Sequence, residues 1–153
     1  MINKFEGKNF FLSNFYPVSI NIKIDDLWFT CPTVEHVFQA SKTINTEEQR
    51  EIACAPTPGK AKQLGRKVAL RYDWEDIKVD VMRQLIMQKF ADADLRQQLL
   101  NTNDEELIEG NWWHDNFWGD CYCDKCAGIT GKNILGELLM DERKRIRKLN
   151  EGD

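Results

Sequence analysis

The chain has 153 residues, 42% of them hydrophobic and 30% charged, which is enough apolar content for one core and unlike the profile of a disordered polymer. A formal charge of -4 and a pI near 5.3 argue against a protein held on nucleic acid by bulk electrostatics, although a local basic run can still meet phosphate. Apolar runs such as Phe10, Phe11 and Leu12 are only a few residues long, against the roughly 20 of a membrane-spanning helix. Lys4, Glu6 and Lys8 interrupt any export signal. The expectation is a single domain over residues 1–153, in the cytoplasm and away from membranes, with its five cysteines reduced.

Val18, Ile20, Ile22 and Ile24 alternate with Ser19, Asn21 and Lys23, the period of a half-buried strand. Asp25-Asp26 is a two-residue turn into a second strand, Leu27 to Thr30, which Pro32 ends. Thr33 then caps a helix that puts Val34, Val37, Phe38 and Ser41 on one face. Thr46-Glu47-Glu48-Gln49 reads as a capping box opening a helix that Ala55-Pro56 closes. Thr57-Pro58 opens another, running to about Lys67. The longest periodic segment starts at Trp74 and continues through Ile77, Val81, Leu85, Ile86 and Phe90, and it is the expected central helix. Asp94 to Leu100 is a short amphipathic helix, Leu107 and Ile108 a strand, and Gly131 to Leu149 a last helix with Ile134, Leu135, Leu138 and Leu139 inward. The fold class is α+β, mostly helical, with a small sheet.

Basic residues gather in two runs, Lys60, Lys62, Arg66, Lys67 and Arg71, and Arg143, Lys144, Arg145, Arg147 and Lys148. Such runs ordinarily mark solvated helix faces, and the second suits the negative end of a helix dipole. Glu35, Gln39 and Lys42 stand at i, i+4 and i+7, along one face of the helix after Thr33. A surface helix carries such residues too, but a carboxylate, an amide and an amine on one rigid element can grip and activate a sugar. From Asn111 to Asp120 the chain holds Trp112, Trp113, Phe117 and Trp118 with Asp115 among them. This is either a loop folded over the core or a base-stacking wall beside a partly desolvated carboxylate.

Cys121, Cys123 and Cys126 form a C-x-C-x-x-C cluster. A structural zinc needs a fourth ligand, for which His114 and Cys31 are available, yet no second C-x-x-C exists. Packed or free thiols are therefore the favoured reading over a zinc-stabilised interaction domain, and no metal or cofactor is assigned. No local signature selects a Cys-His nucleophile pair, and Pro58-Gly59-Lys60 lacks the features of a P-loop.

Phe11-Leu12-Ser13-Asn14-Phe15-Tyr16, Glu35-His36-Val37-Phe38-Gln39-Ala40-Ser41-Lys42, Trp74 before Val81-Met82, Asp115-Asn116-Phe117-Trp118-Gly119 and Gly131-Lys132-Asn133-Ile134-Leu135-Gly136 together resemble the NADAR (YbiA-like) family, in the family's order and over nearly the whole chain. The resemblance implies a mostly helical α+β domain that hydrolyses an N-glycosidic bond between ribose and nitrogen. Two substrate classes follow from it. One is ADP-ribose on guanine in nucleic acid, whose removal reverses a DNA-modifying ADP-ribosyltransferase toxin, a functional partner. The other is a ribosylated aminopyrimidine phosphate of riboflavin biosynthesis. A non-catalytic ADP-ribose-binding module would use the same pocket.

By the same resemblance Glu35, Lys42 and Asp115 match catalytic positions, with Lys42 trapping the opened sugar as a Schiff base. Asn14, Gln39, Arg50, Arg66, Trp74, Trp118 and Gly119 match substrate-binding ones: Asn14 for a sugar hydroxyl, Arg50 and Arg66 for phosphate, Trp74 and Trp118 for the base. Physical chemistry adds a condition. At pH 7 a lysine of pKa about 10.4 is neutral only about four times in ten thousand, so Lys42 needs desolvation or cationic neighbours to act as a nucleophile, and an ionised Glu35 opposes that.

Overall fold

The isoleucine alternation forms β1 (Ile20–Ile24), which pairs antiparallel with β2 (Leu27–Cys31), Ile20 opposite Cys31 and Ile24 opposite Leu27. Asp25 and Asp26 turn the chain with φ of 53° and 63°, the left-handed pair that matches hairpin twist and that aspartate tolerates better than most residues. The computed structural model describes residues 1–152. The hairpin belongs to one of two compact units, Asn14–Lys89; the other joins Met1–Ser13 to the chain from Phe90 onward.

In the first unit, α1 (Val34–Ala40) is capped by Thr33, whose hydroxyl accepts the His36 amide. It is followed by α2 (Thr46–Ala53), α3 (Pro58–Gly65) and α4 (Trp74–Lys89). The expected centre was α4, but α4 buries one face only, through Trp74, Met82, Leu85, Ile86 and Lys89. The centre is α1, all seven residues of which are buried against α2, α3, α4 and β1. Ala40, Ile52, Ala55 and Ala61 make a tight cluster there, with Ile22, Leu64 and Val68 packed around it; each large apolar side chain so removed from water contributes about 1.5–3 kcal/mol. Small residues let the helices approach closely. At Gly65 a Cβ would lie 1.9 Å from Gln39 Oε1, so α3 rests on α1 only because that position is glycine.

The capping box at Thr46 is displaced by one residue. Asn45 is the cap, its Oδ1 accepting the Glu48 amide, while Gln49 donates to the Thr43 carbonyl and Thr43 to Glu48. Asparagine caps at least as well as threonine, and here it also satisfies the first turn. Thr57 caps α3 with Pro58 in its first turn, as expected, and the helix ends at Gly65 rather than Lys67.

The second unit contains α5 (Ala93–Leu100) behind its Asp92 cap, a parallel pair of two-residue strands, β3 (Gly110–Asn111) with β4 (Asp120–Cys121), and α6 (Ile134–Glu151). Leu12, Phe90, Leu99, Leu107 and Leu139 are almost wholly buried. The expected strand at Leu107 and Ile108 reduces to a single bridge between Leu107 and Ile2. The last helix starts at Ile134, not Gly131, because Asn133 is left-handed (φ 52°) and its amide is engaged elsewhere: Nδ2 donates to the Leu107 carbonyl and Oδ1 accepts the Glu109 amide. Nor is the basic run on α6 a solvated face throughout. Arg143 is buried and donates to Thr102 Oγ1 at 2.8 Å and to the Glu105 carbonyl at 2.9 Å, and Arg145 pairs with buried Glu142 at 2.6 Å. The class is α+β and mostly helical, as expected. Among the described residues no helix is long and apolar enough to cross a membrane.

Candidate active site

Helix α1 presents the first group of candidates. Its N-terminal half is locked by His36, which is fully buried: Nδ1 lies 2.7 Å from Thr33 Oγ1 and Nε2 lies 2.9 Å from the Ala55 carbonyl. A carbonyl only accepts, so the proton sits on Nε2, and Nδ1 takes the Thr33 hydroxyl proton. His36 thus ties α1 to the link between α2 and α3. It does not form a nucleophile pair with Cys31, whose thiol burial pushes up to about 11.

On the same helix Glu35 and Gln39 are only 7% and 4% exposed. Gln39 Nε2 donates to Glu35 Oε1 at 2.7 Å, and the Glu35 amide donates to the Asn14 carbonyl at 3.1 Å. Gln39 Oε1 is buried without a hydrogen bond, an omission that costs about 1–3 kcal/mol.

Lys42 follows just beyond the end of α1, where its surroundings lower its pKa. Partial burial pushes the ammonium down, and Arg66, Lys62 and Lys78 push the same way; Glu35 opposes them without prevailing, so the net direction is downward. Its Nζ lies 6.0 Å from the centroid of the Phe38 ring. Lys62 and Lys78 were not among the expected site residues. Lys62 stood in the first basic run, whereas nothing local in the sequence marks Lys78, which α4 brings to Lys42.

The remaining candidates of this unit separate. Asn14 is half-buried, and its side-chain amide donates to Met82 Sδ at 3.6 Å. Arg66, which C-caps α3, is exposed and belongs to the cationic group around Lys42. Arg50 is turned to Asp25, 3.8 Å away. Trp74 is 4% exposed and packs on Phe38 at 5.1 Å between ring centroids, which leaves little of its ring for a base.

In the other unit the loop after β3 is built on side-chain to backbone hydrogen bonds. Asn111 is fully buried; its Nδ2 donates to the Asp115 carbonyl at 2.7 Å and its Oδ1 accepts the Asp115 amide at 3.0 Å. Asp115 Oδ1 in turn accepts the amides of Phe117 and Trp118 at 3.1 and 2.9 Å. Beyond this, the amides of Lys132, Asn133, Ile134 and Leu135 donate to the carbonyls of Asn116, Gly119, Phe117 and Trp118, so the loop fills the open end of α6. Trp118 is half-buried, edge-on to Phe117. Gly119 is a packing position: a Cβ there would lie 2.1 Å from the Glu109 carbonyl oxygen. Trp112 and Trp113 are exposed, the first by 63%. An open depression of about 850 Å³ elsewhere in this unit, lined by Met1, Lys8, Gln98 and Glu105 among others, holds none of these groups.

The family model described as the NADAR domain matches residues 2–147. The chain belongs to the NADAR family. This NADAR protein is 41% identical over 143 residues to the N-glycosidase Npun_R5314 of Nostoc punctiforme, covering 90% of this chain and 85% of that one. It is 39% identical to the N-glycosidase YbiA of Escherichia coli (82% and 75%), and 37% identical to the riboflavin biosynthesis protein VVA0006 of Vibrio vulnificus, where it matches 90% of its own length but 36% of the relative's. The NMR structure of E. coli YbiA superposes with a TM-score of 0.78 at 33% identity, over 100% of this chain and 90% of that one.

Proposed function

We propose that this NADAR protein is an N-glycosidase that hydrolyses a ribosyl C–N bond, and that its substrate is ADP-ribose carried on guanine in nucleic acid. The observation that carries the reading is Lys42, an amine with lowered pKa beside the Glu35–Gln39 pair. Breaking the glycosidic bond builds positive charge at the anomeric carbon and negative charge on the departing nitrogen, so the site needs an acid for the base and an electron pair for the sugar. Glu35 in its protonated form supplies the first and, once neutral, no longer holds Lys42 charged. The Lys42 amine then bonds the anomeric carbon as the C–N bond to guanine breaks and the base departs with the proton. Ring opening gives the Schiff base, and water releases ADP-ribose and the free amine. On this reading Gln39, which the resemblance assigns to substrate binding, orders the Glu35 carboxyl through its side-chain amide. Asp115 keeps the catalytic role that its motif implies, beyond the turn it braces.

The cationic group of Lys62, Arg66 and Lys78 suits a diphosphate. The exposed Trp112 and Trp113 suit stacking on a nucleic acid strand. On this reading the protein reverses an ADP-ribosyltransferase's mark. A second reading rests on the relative named a riboflavin biosynthesis protein: the same chemistry on a ribosylated aminopyrimidine phosphate. The experiment is mass spectrometry on the protein incubated in parallel with an ADP-ribosylated guanine oligonucleotide and a ribosylaminopyrimidine phosphate. Free ADP-ribose with unmodified guanine is the expected result. Ribose phosphate from the pyrimidine alone establishes the second reading. Tight calorimetric binding of ADP-ribose with no product over hours replaces both with a binding module.

A further inference from the structure

We propose that His114, Cys121, Cys123 and Cys126 form a closed tetrahedral zinc site that pins the loop carrying Asp115. The cysteines are free thiols, and one ligand atom from each of the four residues lies within 4.8 Å of all the others. His114 Nδ1 stands 3.2 Å from Cys123 Sγ, 3.5 Å from Cys126 Sγ and 3.9 Å from Cys121 Sγ. Hydrogen bonding does not account for this convergence, because one imidazole nitrogen holds a single proton or a single lone pair and cannot serve three thiols. A metal accounts for it directly. With Zn–S of about 2.3 Å and Zn–N of about 2.0–2.1 Å, a tetrahedron sets the S···N edge at about 3.6 Å, in the middle of the observed range.

The surroundings fit thiolate ligands. Asn116 Nδ2 donates to Cys126 Sγ at 3.4 Å and the Cys123 amide to Cys121 Sγ at 3.5 Å, while Asn116 Oδ1 accepts the Cys121 amide at 2.9 Å. Donors of this kind fix the orientation of metal-bound sulfur. The expectation of packed or free thiols rested on the missing second C-x-x-C. The fourth ligand comes instead from His114, seven residues before Cys121, while Cys31 lies in β2, outside the cluster. Three thiolates and an imidazole leave no open coordination position, so the ion is structural rather than catalytic. It joins residue 114, next to Asp115, to residue 126, and so closes the loop whose carbonyls cover the start of α6.

The test begins with elemental analysis of protein purified without chelators or a metal-affinity step. About one zinc per chain is expected in the wild type, falling at least tenfold in C123S and C126S with the helical circular dichroism retained. Because those variants can fail to fold, wild-type protein is also stripped under reducing conditions and titrated with Co²⁺. The intense absorption of tetrahedral cobalt thiolate should appear, saturate at one equivalent and vanish on adding zinc. Wild-type protein that carries no zinc and gives no cobalt-thiolate absorption overturns the proposal, as does zinc retained undiminished in the C123S/C126S double variant.

Discussion

Helix α1 and the loop from Asn111 to Cys126 hold their polar groups in opposite ways. In α1 the helical backbone, with its first amides taken by the Asn14 carbonyl and the Thr33 hydroxyl, places Glu35, His36 and Gln39 by helical geometry and by burial of the whole helix among its neighbours. In the loop the backbone has no such ladder, and side chains do the work: Asn111 on Asp115, Asp115 on Phe117 and Trp118, Asn116 on Cys121 and Cys126. The first arrangement can bury a carboxylate and perturb a nearby lysine, since a packed helix excludes water. The second fixes one carboxylate oxygen on two backbone amides, whereas the Glu35 carboxylate is held by the Gln39 side chain.

The largest effect should come from the helix. K42A and E35Q should each lower turnover by at least about 10³-fold, the scale of a lost nucleophile or general acid, with the melting temperature within a few degrees of wild type. Borohydride added during turnover should leave a sugar adduct on the wild type and none on K42A. Normal product release from both variants would remove the mechanism.

Next come the bracing groups. H36A loses two buried contacts and should cost about 2–4 kcal/mol in urea denaturation. D115A, which loses the acceptor for two amides, should cost about 1–2 kcal/mol. D115N keeps a carbonyl acceptor and should stay near wild-type stability while losing activity. A fully active D115N would show that the loop uses Asp115 for its shape alone.

G65A drives a methyl into Gln39 Oε1 and should cost about 1–3 kcal/mol, with a raised KM as Gln39 moves. G59A, whose added Cβ would meet nothing closer than Thr57 Oγ1 at 3.9 Å, should be stable by comparison in the same thermal melts. The smallest signal is the pH dependence. The folded-state pKa of Lys42 lies below its ordinary 10.5, so between the two values the unfolded chain binds more protons, and stability rises with pH across that window. K42M should flatten this segment of the stability profile. Because the mechanism needs Glu35 protonated and Lys42 neutral together, wild-type turnover should follow a bell-shaped pH profile, and a rate flat with pH would assign Lys42 to binding alone.

Much of this was legible in the sequence where near neighbours decide the structure. The β1–β2 hairpin followed from a period of two and a turn pair, Thr33 was readable as a cap because a cap acts on amides three residues away, and Pro58 marked the first turn of α3. The α1 stripe of Glu35, Gln39 and Lys42 was visible as spacing, although its burial was not. Reading failed where a distant residue claims a side chain. Asn133 holds residues 107 and 109 and so delays α6. Arg143 leaves the basic face to reach Thr102 and Glu105.

What the sequence determined by itself is therefore the inventory and its local order: the family motifs, the hairpin, the helix starts at Thr33 and Thr57, and the candidate carboxylates and lysine. Only the tertiary structure decided that Lys42 is depressed, because desolvation and the charges of Lys62, Arg66 and Lys78 act through space. It alone chose His114 over Cys31 as the companion of the three thiols. Capping and strand pairing across a tight turn are short in sequence, whereas electrostatic fields and metal-sized clusters depend on distances that a chain acquires only when it folds.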